Sequence, residues 1–153
     1  MSNPSSTLRE VESTLRSVIQ SLIDAQEGFQ KIAEDLKDEP IKVRFLAESL
    51  KRAEFRGELE SVLHQEGIHD IKESGTAGGT ANRVWADLKS KLGGGDHSLL
   101  VTAEEAEDQA VAAYREALEK ELPLPVRQLL VAQSVHVQNS HDYVKAARDA
   151  SNS

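Results

Sequence analysis

No cysteine occurs in the 153-residue chain. Disulfides, thiol catalysis and cysteine-ligated zinc are therefore excluded. Aromatic side chains are scarce: Phe29, Phe45, Phe55, Trp85, Tyr114 and Tyr143 are all there are. A core so poor in rings must be filled by Ala, Leu, Val and Ile, which suits closely packed helices better than a β-sandwich. No segment approaches 18 consecutive apolar residues, so no membrane span is expected. Met1 to Thr7 lacks the basic start and apolar run of a signal peptide, which makes the cytoplasm the expected location. Basic charge is in deficit as well, with a net charge of −8. Such a surface repels phosphate backbones, so nucleic acid is not an expected partner; without an apolar span neither is a membrane, and the excess acid serves solubility first.

What is present reads as one all-α domain over residues 1–153, residues 1–6 forming a tail. Helix 1 is expected from about Thr7 to Leu36, with Thr7 and Glu10 spaced as a capping box. Its heptad-like stripe is Leu8, Val11, Leu15, Val18, Leu22, Ala25, Phe29, Ile32 and Leu36. Asp38-Glu39-Pro40 breaks the chain, and helix 2 follows from about Pro40 to Gln65, stopped at Gly67. Val43, Leu46, Ala47, Leu50, Ala53, Gly57 and Ser61 share one wheel face of helix 2, taken as the inner one. A second apolar set, Phe45, Phe55, Leu59 and Val62, then needs a cover, either the connecting segment or a second copy in a homo-oligomer.

Residues 68–97 are too long for a turn between neighbouring helices and suit a crossover to the far end of a bundle. The crossover carries Ser74–Gly79, Gly93–Asp96 and a short helix from Asn82 to Leu92. Its glycines match no phosphate-loop spacing. Helix 3 is expected from about Ser98 to Leu122, with a face of Leu99, Ala103, Ala106, Ala110, Ala113, Tyr114 and Ala117. Helix 4 is expected from about Pro125 to Ala150, with Val126, Leu129, Val137, Val144 and Ala147 inward. The fold class is thus a ferritin-like four-helix bundle with a long crossover between helices 2 and 3.

Ferritin-like di-metal centres take a Glu from each of two helices and a Glu-x-x-His pair from each of the other two. The nearest set here is Glu54 on helix 2, Glu107 at the edge of the helix 3 face, and His136 and His141 on helix 4. Gln26 stands on helix 1 where a Glu is needed. Gly57 stands where a His should follow Glu54, and Gln133 and Gln138 stand where Glu should precede the two histidines. These five residues are the candidate metal ligands, with iron or manganese as the ions to consider. A neutral hydrogen-bonded layer that includes Gln133 and Ser140 is the plainer reading. No nucleophile–base pair can be placed, so no catalytic residue is assigned.

The ordered set Asp24–Phe29, Ala33–Asp35, Gly57–Leu59, Ser74–Gly78, Val84–Lys89, Glu107–Asp108, Ala113–Leu118 and His141–Val144 resembles an uncharacterised bacterial family. That family is domain of unknown function 2383, grouped in the ferritin-like superfamily. The resemblance covers roughly residues 15–150. It implies a ferritin-like bundle and a loose association with stress, and it implies no activity. Two functions stay open. The first is a non-enzymatic binding or stress-related module. The second is a metal-binding ferritin-like protein with a degenerate site and residual redox activity.

Overall fold

The computed structural model describes residues 4–68 and 83–151. Four long helices carry the fold: α1 (Pro4–Asp35), α2 (Glu39–Gln65), α3 (Asp96–Leu118) and α4 (Leu124–Ser151). They pack as an all-α bundle. Among the described residues no helix is long and apolar enough to cross a membrane.

The helix boundaries have local causes. α1 starts at Pro4, one turn before the expected capping box, so Thr7 lies inside the helix. Asp38 caps α2 by accepting the Ile41 N–H at 3.0 Å, and Pro40 occupies the first turn, where no N–H is needed. α2 ends at Gln65 because Gly67 takes a positive φ of 84°, which lets the Gly67 and Ile68 N–H groups turn back onto the carbonyls of His64 and Leu63. α3 stops at Leu118, a turn earlier than expected, and Arg127 from α4 donates to the carbonyls of Leu118 and Lys120.

Packing gives the order of directions. Short turns make α1/α2 and α3/α4 antiparallel pairs. The Asp96 carboxylate at the start of α3 accepts the N–H groups of Lys37 and Asp38, both at 2.9 Å, so α3 begins where α1 ends. α2 and α3 are therefore parallel, and the end of one lies at the opposite end of the bundle from the start of the other. Residues 69–82, with the expected Ser74–Gly79 stretch, fall outside the described residues. Of the segment expected as a helix from Asn82 to Leu92, the described part contains a single helical turn, Arg83–Ala86, and a 3₁₀ turn, Leu88–Lys91.

Two apolar clusters fill the interior, one toward each end. One joins Val11–Ile23 of α1 to Leu59, Leu63, Tyr114, Leu130 and Val137. The other joins Ala25–Leu36 to Phe45, Trp85, Leu99, Leu100 and Val144. The helix 1 stripe from Val11 to Leu36 is buried as expected, and so is the Leu99–Ala117 face of α3 apart from the half-buried Ala113. Helix 2 is turned the other way. Phe45, Glu48, Ser49, Arg52, Phe55, Leu59 and Leu63 face inward, whereas Val43 is 62% and Leu50 73% exposed. The apolar set that was expected to need a cover is itself the core face, so the case for a homo-oligomer drawn from it no longer stands. The aliphatic wheel misled because the true inner face carries Glu48, Ser49 and Arg52. Their polarity nearly cancels the contrast between the two sides of α2.

Gly28 marks a close approach. A Cβ there would clash with the ring of Trp85, which packs against Phe29 at a centroid distance of 5.5 Å. Gly28→Ala is expected to destabilise by about 1–3 kcal/mol through overpacking. Urea titration would measure the loss, and the emission of Trp85, the sole tryptophan, would shift red in the folded state. By contrast, Leu50→Lys on the exposed face is expected to move stability by less than about 0.5 kcal/mol.

Candidate functional site: a buried ionic layer at mid-bundle

Between the two apolar clusters lies a polar layer. Its centre is Arg52 on α2, whose side chain is 1% exposed. The guanidinium donates through Nη2 to both oxygens of Glu107 on α3, at 2.8 and 2.7 Å, and through Nε to Glu48 one turn back on α2, at 2.6 Å. Glu107 is fully buried. His136 on α4 meets Glu48 from the other side, with Nε2 at 2.9 Å from Oε1. The Arg52 guanidinium also lies over the ring of Phe29 on α1, 5.2 Å from its centroid. Three helices thus meet at one cation, and α4 joins them through Glu48.

Helical spacing places these groups. Glu48 and Arg52 are four residues apart and so share a face of α2. Phe55 continues that face and meets the His136 ring edge-on at 5.2 Å. A second chain of bonds runs beside the first. The Tyr114 hydroxyl donates to Gln133 Oε1 at 2.8 Å, and Gln133 Nε2 donates to the Phe55 carbonyl and to Glu58. Ser49 donates to the Gln26 carbonyl at 2.7 Å, tying α2 to α1. Among the described residues no buried side-chain nitrogen or oxygen lacks a partner.

Electrostatics hold Arg52 charged and Tyr114 protonated. Burial alone would drive the Arg52 guanidinium toward neutrality. The Glu107 and Glu48 carboxylates outweigh it and raise the pKa above the ordinary arginine value. Burial raises the Tyr114 phenol well above its ordinary range, so it remains a donor to Gln133.

The five residues singled out from the sequence do not form one site. Glu54 is exposed and pairs with Lys51 at 3.3 Å, because α2 is rotated relative to the expected facing. Gln26 is half-buried, and it contributes its backbone carbonyl to Ser49. Glu107 and His136 do enter the central layer, linked through Arg52 and Glu48. His141 lies to the side, between α3 and α4, 2.6 Å from Asp108. Burial pulls its imidazole down, but the Asp142 and Asp108 carboxylates outweigh that and hold it above its ordinary value. Arg52 and Glu48 were missed. The available signal was the i, i+4 pairing of opposite charges beside Phe45 and Phe55 at the spacing of one helical face.

An arrangement of this kind can hold helices in register. It leaves little for a metal, since the guanidinium already occupies both oxygens of Glu107 and one of Glu48. Glu107→Gln is expected to cost about 3 kcal/mol, because it strips Arg52 of its bidentate partner inside the core. The combined change Arg52→Met, Glu107→Leu and Glu48→Gln should recover most of that loss in urea titrations, since no unpaired charge then stays buried in the layer. Glu54→Gln should change stability by less than about 0.5 kcal/mol.

No curated protein matches the chain. The family described as "Domain of unknown function (DUF2383)" matches residues 10–120. That span includes most of α1, all of α2 and α3, and with them Glu48, Arg52 and Glu107. On this match the chain belongs to the DUF2383 family, a domain of unknown function.

Proposed function

We propose that this chain is a non-enzymatic, cytoplasmic protein of ferritin-like architecture, a binding or stress-related module whose interior is closed by an ion pair. The observation that carries this reading is the Arg52 guanidinium at mid-bundle. It stands among Glu48, Glu107 and His136, at the height where a ferritin-like enzyme would hold its cations. A cation fixed by the chain itself occupies the carboxylate oxygens that an exchangeable metal would need. It leaves neither an open coordination position nor a group able to change oxidation state. The ferritin-like description is supported by the direction order, in which α2 and α3 run parallel and demand a long link. The stress association rests on the family resemblance alone.

The competing reading, a degenerate iron or manganese centre with residual redox activity, needs the central carboxylates free. Both Glu107 oxygens are engaged by Arg52. The decisive experiment is metal analysis of protein purified without chelators, followed by anaerobic iron(II) addition and measurement of oxygen uptake. No stoichiometric oxygen consumption is expected. Stoichiometric consumption that is lost in Glu107→Ala and kept in His141→Ala would place redox chemistry at the centre and overturn the proposal.

A further inference from the structure

We propose that Glu104, Asp108 and His141 form a binding site for a single divalent first-row transition-metal ion on the α3–α4 side of the bundle, outside the Arg52 layer. Glu104 and Asp108 are one turn apart on α3 and point the same way. His141 reaches them from α4. One ligand atom from each of the three lies within 4.8 Å of the others. Bonds of about 2.0–2.2 Å to a shared ion are within reach of such a cluster with small side-chain adjustments.

The orientation of the imidazole points the same way. Nε2 of His141 faces Asp108 Oδ1 at 2.6 Å, and Nδ1 faces Asp142 Oδ1 at 3.2 Å. Nε2 shares a proton with Asp108, and a metal ion bound there takes that proton's place while Nδ1–H keeps its bond to Asp142. Asp142 is itself held by Gln138 Nε2 at 3.0 Å, so the ring is oriented from behind, as metal-bound imidazoles are by their outer carboxylates. Arg148 bonds Glu104 through Oε2 and also grips Asp149, so an ion takes the other Glu104 oxygen or displaces the guanidinium toward Asp149.

Burial is graded across the site. Glu104 is buried, His141 is partly covered and Asp108 is exposed, which leaves an approach from solvent. Two carboxylate oxygens and one imidazole nitrogen suit zinc, manganese or iron(II) better than magnesium or calcium, which prefer oxygen alone. Three protein ligands leave a position for water.

Zinc(II) is the probe of choice because it has no redox chemistry, which separates this test from oxygen uptake at the bundle centre. Calorimetric titration of the chelator-stripped chain should show one zinc(II) bound per chain, unaffected by excess magnesium, and thermal melts should shift upward with zinc. His141→Ala and Asp108→Asn should each weaken binding by about tenfold or more. Asp108→Asn alters an exposed side chain, so it reports on the site even if the histidine variant folds poorly. Asp142→Asn should weaken binding by about tenfold through the ring orientation alone. His97→Ala, which removes an imidazole bonded to Ser151, should leave binding unchanged. Absence of zinc binding, equal affinity in wild type and Asp108→Asn, loss of binding in His97→Ala, or displacement by magnesium would each overturn the assignment.

Discussion

An arginine in a helical core can be kept only if its charge is answered from several directions at once, and Arg52 imposes that condition on the whole bundle. An isolated guanidinium in an apolar interior is too costly to keep. Glu107 must therefore come from α3 at the same height, Glu48 must sit one turn back on the same face of α2, and the π-face of Phe29 must approach from α1. Sliding either of these partner helices by a turn would strand the charge. The layer thus sets the longitudinal register of helices whose alanine- and leucine-rich surfaces would tolerate several registers. Its contribution is to uniqueness more than to net stability, because an apolar replacement of the same shape would pack as well.

The ends of the bundle follow the same logic with backbone donors in place of a guanidinium. Asp96 accepts two N–H groups of the α1–α2 turn, and Asp35 accepts the Gly93 N–H at 2.7 Å. Each bond joins the first helical hairpin to the segment that begins the second. At the other end, Arg127 closes the α3–α4 turn through two carbonyls. With polar ties at both ends and an ionic layer in the middle, the two apolar clusters are held between fixed planes. A framework of this kind presents side chains in constant positions along its flanks, which is the property a binding surface needs. The Glu104, Asp108 and His141 group on the α3–α4 flank is built on two such helices.

Sequence reading succeeded wherever one kind of residue filled one face. The α1 stripe from Val11 to Leu36 and the α3 face from Leu99 to Ala117 are unbroken apolar seams, and both are essentially buried as their periodicity implies. The α2 termini were legible too, because Asp38, Pro40 and Gly67 act on the backbone within a few residues. Reading failed on α2 itself. There the buried face mixes Phe45, Phe55 and Leu59 with Glu48 and Arg52, while Val43 and Leu50 lie outside. A wheel scored by hydrophobicity cannot rank such faces, since it charges Arg52 the full cost of burial and credits nothing for Glu107 on another helix.

From its sequence alone this chain is all-α, has helices with boundaries good to about a turn, and carries no thiol chemistry. Those properties are local or compositional: they depend on turn residues, on 3.6-residue periodicity and on which side chains are absent. The facing of α2, the gathering of Glu48, Arg52, Glu107 and His136, and the lateral meeting of His141 with Glu104 and Asp108 were decided by tertiary structure. Glu107 and Arg52 are 55 residues apart in the chain. Nothing local tells an arginine that its carboxylate waits on a helix beyond the link between the two halves. Only the packed bundle brings them within hydrogen-bond reach and turns two charges that each resist burial into a pair that can be buried.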